Sequence, residues 1–237
     1  LLTREQPVID NKPEDKFESV IFLPEGEGRL GEGGLRTQGY FKISLSDKPL
    51  ITVVTVVFNG ETFLEETIQS VINQTYDNVE YIIIDGGSAD GSIDIIRKYE
   101  IDYWASESDK GISDAFNKGL RVASGDYVLY LNADDKLANT SVVADMVLKI
   151  RENDFPMMIY ADIEYIERNS EQVMYRVSMP FSPRELIRGK MIPHPSLFTH
   201  RSYFAEYGAF DTTFLIAMDY EWLLRGALKE KVVHVPM

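Results

Sequence analysis

Leu50-Ile-Thr-Val-Val-Thr-Val-Val57, stopped by Asn59-Gly60, decides the fold. The run is dominated by β-branched residues and is too short for a helix of this composition. Bounded by turn residues, it reads as a strand covered on both faces, as in a parallel sheet. Downstream, residues 61–74 place Phe63, Leu64, Thr67, Ile68, Val71 and Ile72 at helical spacing. Val79-Glu-Tyr-Ile-Ile-Ile84 is a second strand ending at Asp85, and Gly86-Gly-Ser-Ala-Asp-Gly91 is a turn that caps a helix over 92–99. A short strand at Tyr103-Trp104-Ala105 follows, then a helix over 112–123 stopped by Gly125, then the strand Asp126-Tyr-Val-Leu-Tyr-Leu-Asn-Ala133. Strands alternating with helices through short connections predict an α/β fold, with a mostly parallel sheet and right-handed crossovers.

The last of these strands closes on Asp134-Asp135. Two carboxylates at the end of a buried strand are costly unless something cationic meets them. In open α/β sheets, ligands sit outside the carboxyl ends of the strands. A divalent metal, Mg²⁺ or Mn²⁺, bridging a protein acid to a substrate phosphate is the natural candidate. An N-cap for the helix that begins near Thr140 is the alternative reading.

Upstream, residues 1–48 are polar, weakly periodic and punctuated by glycine, centred on Glu25-Gly-Glu-Gly-Arg-Leu-Gly-Glu-Gly-Gly-Leu-Arg36. They read as an N-terminal arm or extension to a domain over 49–237. A phosphate-cradling loop needs a strand before it and a helix after it, and the interleaved acids would repel phosphate. A chain starting near Asp47 is accordingly expected to fold and to bind nucleotide.

Composition narrows the partners. The 237 residues are 44% hydrophobic, enough for one sizeable core. A net charge of −14 argues against a nucleic-acid backbone as the main partner, since no basic stripe exists to release counterions. Cysteine is absent, which removes disulfides and thiolate metal sites and fits a cytoplasmic setting. No apolar stretch reaches the roughly 20 residues of a membrane span.

Five segments in order resemble the family 2 glycosyltransferases: Thr52-Val-Val-Thr-Val-Val-Phe-Asn59, Ile72-Asn-Gln-Thr-Tyr76, Tyr81-Ile-Ile-Ile-Asp-Gly-Gly-Ser-Ala-Asp-Gly91, Glu107-Ser-Asp-Lys-Gly-Ile-Ser-Asp-Ala-Phe-Asn-Lys-Gly119 and Leu131-Asn-Ala-Asp-Asp135. The resemblance runs from about Leu50 to the end of the chain and leaves room for a C-terminal extension. It implies a GT-A fold, a Rossmann-like mostly parallel central sheet flanked by helices, together with a nucleotide-sugar donor and a divalent metal. By the same resemblance Asp85 accepts from the base, plausibly uracil, beside Val57 and Phe58, where the family often carries hydroxyls. A turn-forming Asp is the other reading of Asp85. Asp109, Lys110 and Asp114 match the donor-facing loop and helix start, with capping by Asp109 and a solvent-exposed Lys110 as the alternative. Asp134 would face the ribose and Asp135 would ligate the metal, with Asn132 standing where the family usually has its first acid.

Nearer the C-terminus, Ile192-Pro-His-Pro-Ser-Leu-Phe-Thr-His-Arg201 resembles the acceptor-side segment of the family. His194 reads equally as a diphosphate or acceptor contact and as a buried structural histidine. Gly208-Ala-Phe-Asp211 and Ala217-Met-Asp-Tyr-Glu-Trp-Leu-Leu-Arg225 match the family's ending, where an acid at a helix start is the catalytic base. Asp219 is the match, helix capping its alternative, and Glu221 the reserve. His200 and His234 read as structural. The resemblance thus implies a metal-dependent inverting transferase that uses a nucleotide sugar, UDP-linked, on a saccharide or lipid-linked acceptor in surface polysaccharide synthesis. It would work in the cytoplasm, with a peripheral seat at the inner membrane face left open. Two rival readings remain. A sugar nucleotidyltransferase would need a glycine-rich basic loop after the first strand, which Phe58-Asn-Gly-Glu-Thr62 is not. A non-catalytic carbohydrate-binding protein on the same fold would have no need of both Asp135 and Asp219.

Overall fold

The computed structural model describes residues 2–26, 28–167, 170–214 and 216–237. In chain order its strands are β1 (Gly31–Gly33), β2 (Ile51–Val57), β3 (Val79–Asp85), β4 (Tyr103–Ser106), β5 (Tyr127–Tyr130), β6 (Met158–Ala161), β7 (Ile163–Ile166), β8 (Val173–Val177), β9 (Leu197–His200) and β10 (Val232–Val235). Its helices are α1 (Leu64–Ile72), α2 (Ser92–Ile96), α3 (Ile112–Val122), α4 (Val142–Glu152), α5 (Pro183–Ile187), α6 (Arg201–Tyr207) and α7 (Met218–Gly226). Eight strands form one sheet in the order β1-β4-β3-β2-β5-β9-β6-β10. The block β4-β3-β2-β5 is parallel, β9 runs antiparallel to β5 and β6, and β10 is parallel to β6.

All seven residues of β2 are buried, which is why its sequence is continuously apolar rather than alternating. The strand's two-residue period divides its side chains between the faces. Val54 and Val56 join Ile82, Ile84, Phe116 and Leu120 on the α3 face. Ile51, Val53 and Val57 join Leu64, Ile68 and Val71 of α1 on the other. Each such side chain contributes about 1.5–3 kcal/mol when fully buried.

The 1–48 segment differs from the arm expected of it. β1 pairs antiparallel with β4, so Gly31–Gly33 is the edge strand of the main sheet. Its glycines are a packing requirement: a Cβ on Gly33 would lie 2.7 Å from Nε1 of Trp104. Leu23 and Phe41 are buried. Arg36, 2% exposed, pairs with Glu80 at 2.5 Å and donates through Nη1 to the carbonyls of Ile21 and Val122, both at 2.8 Å. Lys42 pairs with Asp102 at 2.9 Å. The packing therefore does not stop at residue 48, and a chain starting near Asp47 would lack these contacts. A segment poor in apolar residues is held by buried ion pairs and backbone pairing, neither of which hydrophobic periodicity records.

β7 and β8 form a separate hairpin whose Tyr165 and Tyr175 stack at 4.4 Å. Their side chains are largely exposed, so no buried face imposed an alternation that sequence could reveal.

Candidate functional site

The parallel strands deliver the expected donor residues to one end of the sheet. Register places Val57 beside Asp85 and Asp85 beside Ser106. Val57 is buried against the α1 face, whereas Phe58 is 67% exposed at the rim, so of the two only Phe58 is free to meet a flat base. Asp85 is fully buried. Its Oδ2 accepts from Gly87 N at 3.2 Å, Ser88 N at 3.0 Å and Ser106 Oγ at 2.5 Å, and Oδ1 accepts from Ser88 Oγ. Three of the four donors crowd Oδ2 and one reaches Oδ1, which keeps an acceptor direction open. Asp85 thus organises the turn, and Oδ1 is the oxygen a base could still use.

The loop after β4 carries Asp109, half-buried with Oδ2 against Gly86 and Oδ1 accepting from Gly111 N at 2.9 Å. Burial lifts its carboxyl above the usual range, and Asp114 and Asp85 add to the lift. Lys110 is exposed, its backbone N–H donating to Asp114 at 3.0 Å. The lysine that grips this loop is Lys118, which the sequence reading passed over. It donates to the Ser108 carbonyl at 2.8 Å and pairs with Glu107 at 3.1 Å and Asp114 at 3.5 Å. The Asp114-to-Lys118 spacing of one helical turn was the available signal.

After β5, Thr67 Oγ1 reaches back from α1 to the carbonyls of Ala133 and Asp135, at 2.9 and 2.8 Å, and fixes the acidic turn. Asp134 is exposed. Burial, reinforced by Asp134, raises the Asp135 carboxyl above its usual range. Asn132 Nδ2 donates to Asp135 at 3.0 Å, while its buried Oδ1 has no partner. Among the described residues, no three His, Asp or Glu side chains converge on a point that could hold a metal. The two carboxylates and the orphaned amide oxygen nonetheless fit a hard divalent cation. Such ions commonly take one or two carboxylates and complete their shell with substrate phosphate and water.

Nearer the C-terminus, His194 stacks on Phe116 at 5.6 Å and on Tyr130 at 5.7 Å, joining this segment to α3 and β5. Burial pushes its pKa down to about 4 against the opposing pull of Asp219, so the imidazole is neutral at pH 7. Above pH 6.5 both folded and unfolded chains carry it neutral; between 6.5 and about 4 only the unfolded chain takes the proton. Stability should therefore fall as pH falls through that window, with a limiting slope of about 1.4 kcal/mol per pH unit. Urea midpoints at pH 7, 5.5 and 4.5 should converge for wild type and His194→Asn as pH drops. A constant gap between the two proteins would remove this role.

Asp219 lies in the first turn of α7, half-buried, with Oδ1 accepting from Tyr220 N at 2.8 Å. Glu221 is locked to Arg225 by bonds of 2.8 and 2.5 Å. Glu221 is thus committed elsewhere, while Asp219 lies near enough to His194 for its charge to pull against the effect of burial. Ala217, just before α7, has φ 59°, a left-handed conformation uncommon for a residue with a Cβ. Asn117 clamps the approach to this helix, donating to the Phe210 carbonyl at 2.8 Å and accepting from Phe210 N at 2.9 Å. His200 Nδ1 accepts from Ser202 N at 3.3 Å as a helix cap, and His234 donates to Asp162 at 2.6 Å.

The glycosyl transferase family 2 model matches residues 52–208. An uncharacterized glycosyltransferase of Mycobacterium tuberculosis is 34% identical over 188 residues, which cover 78% of this chain and 71% of that protein. A PGL/p-HBAD biosynthesis glycosyltransferase of Mycobacterium bovis is 26% identical over 196 residues, covering 79% and 75%. Among solved structures, S. aureus TarS 1-349 superposes with a TM-score of 0.65 at 18% identity, over 78% of this chain and 58% of that one. The mannosyltransferase PcManGT of Pyrobaculum calidifontis, in complex with GDP-Man and Mn²⁺, gives 0.62 at 18%, over 80% and 55%. This chain therefore spans little more than half of either solved structure, and the shared architecture is the GT-A fold. On its sequence and its relatives, the chain belongs to glycosyl transferase family 2.

Proposed function

We propose that this glycosyltransferase takes its sugar from a nucleotide-sugar donor, UDP-linked, and transfers it with inversion to a hydroxyl of a saccharide or lipid-linked acceptor. The observation that carries the reading is Asp219: a carboxylate with no cationic partner among the described residues, near enough to a neutral His194 to act on it, while neighbouring Glu221 is closed into an ion pair. A base must be free to take a proton, and Asp219 is the acid left free to do so. It accepts the acceptor's hydroxyl proton as the oxygen attacks the anomeric carbon from the face opposite the leaving group, which inverts that centre. His194, uncharged, shapes the wall beside it without neutralising it. A divalent cation held by Asp135, with Asp134 and Asn132 beside it, would stabilise the departing diphosphate.

The donor class draws support from TarS, solved with UDP and with UDP-GlcNAc, and from PcManGT with GDP-Man and Mn²⁺. No helix among the described residues is long and apolar enough to cross a membrane. Thermal shifts with UDP, GDP, CDP and dTDP sugars, with and without Mn²⁺, test the donor, because a ligand bound only to the native state raises stability. UDP-sugar with Mn²⁺ is expected to give the largest shift. Asp135→Asn should lose most of the metal-dependent part and keep the apo melting temperature. An undiminished Mn²⁺-dependent shift in that variant would sink the metal-ligand role.

A further inference from the structure

Residues 24–26 and 28–30 lie outside the matched family region of 52–208, yet they touch the donor-facing loop. Arg29 Nε bonds Glu107 Oε2 at 2.6 Å, with the two side chains only 10% and 7% exposed. The guanidinium is itself fixed from its own segment, donating to the Pro24 carbonyl at 2.8 Å and to Glu32 at 2.9 Å. The backbone follows the same course: Leu30 N donates to the Ser106 carbonyl at 2.8 Å, and a Cβ on Gly26 would fall 2.5 Å from Glu107 Oε2, so a side chain there would push the Glu107 carboxylate aside. The opposite carboxylate oxygen, Oε1, pairs with Lys118 at 3.1 Å, and Lys118 also holds the Ser108 carbonyl. Burial raises the Glu107 carboxyl, but hydrogen bonds from Arg29 and Lys118 more than offset it, leaving a firmly ionised anchor below the usual range.

We propose that Arg29 is a positioning residue for the donor site: with Lys118 it clamps Glu107 from both sides and so fixes loop 107–111, which presents Asp109. Arg29 touches no reacting atom; it acts through Glu107. The N-terminal segment then belongs to the donor-binding apparatus although it lies outside the family region. This rests on the donor-side assignment made above, so the test carries one readout that needs no donor.

In the full chain, amide hydrogen exchange over 107–111 is compared for wild type, Arg29→Ala, Arg29→Lys and Glu107→Gln without ligand, alongside calorimetric affinity for UDP with Mn²⁺. Arg29→Ala should exchange roughly tenfold faster in this loop and bind UDP roughly tenfold more weakly, with amides of β5 unchanged. Arg29→Lys keeps the charge but not the planar fork, so it should fall between, and Glu107→Gln should move the loop in the same direction. The remaining buried pairs, Arg36–Glu80 and Lys42–Asp102, keep the segment docked in all three variants. Unchanged exchange over 107–111 in Arg29→Ala overturns the proposal. So does a lowered melting temperature with wild-type UDP affinity. Should wild type bind no nucleoside diphosphate, the donor reading fails, and the exchange result still decides the clamp.

Discussion

Asp219→Asn is expected to leave donor affinity unchanged and to slow sugar transfer by about 10²–10⁴-fold, the usual contribution of a positioned base to deprotonating a poor nucleophile. Asparagine keeps the size of the side chain and its hydrogen bond to Tyr220 N, so the start of α7 should survive. The loss should appear in kcat with donor and acceptor both saturating, which separates a missing base from weakened binding. Glu221→Gln is the matched control. It loosens the pair with Arg225, itself anchored to the carbonyls of Tyr207 and Ala209, and should cost some stability but little rate. Near wild-type turnover by Asp219→Asn would place the base elsewhere.

The second large effect is on folding. Glu80 is 1% exposed and accepts from Arg36, from Thr52 Oγ1 at 2.6 Å, and from the N and Oγ of Ser124 at 2.8 and 2.5 Å. Burial pushes its carboxyl up, and Arg36 with these hydrogen bonds brings it below the usual range. Arg36→Ala would leave that charge in the interior with neutral partners only, a change that typically costs about 3–5 kcal/mol. Set against a total stability of about 5–15 kcal/mol for a domain, this should lower the urea midpoint severely. Adding Glu80→Gln should recover part of the loss. A chain beginning at Asp47 lacks Arg36, Lys42 and β1 together and should not fold stably. An Arg36→Ala loss below about 1 kcal/mol would show that the pair is dispensable.

The central sheet was legible because β2 and β3 are covered on both faces and therefore had to be written in long apolar, β-branched runs. The motifs lay at strand ends, where topology alone gathers them. What stayed hidden depended on partners far away in sequence. Glu80, inside an apolar strand, was the visible half of a pair whose other half lies 44 residues upstream. Asp85 carried the expected residue type at the expected place, but sequence cannot show that Gly87, Ser88 and Ser106 already donate to it. Lys110 drew attention by lying in the motif, while Lys118, nearly two turns into the helix, makes the contacts. His194, read two ways from sequence, is stacked on Phe116 and Tyr130, rings that its own proline-flanked segment could not announce.

β1 has one more consequence. A sheet that ended at β4 would present the unpaired backbone of Tyr103–Ser106 along an apolar border, a ready template for other chains. Gly31–Gly33 takes up that hydrogen-bonding edge with only three residues, the middle one an exposed glutamate and the outer two without side chains. Too short, too charged and too bare to recruit a further strand, it closes the border against self-association. Partial release of the N-terminus should therefore show first as concentration-dependent aggregation, before any loss of helical signal from the layers behind it.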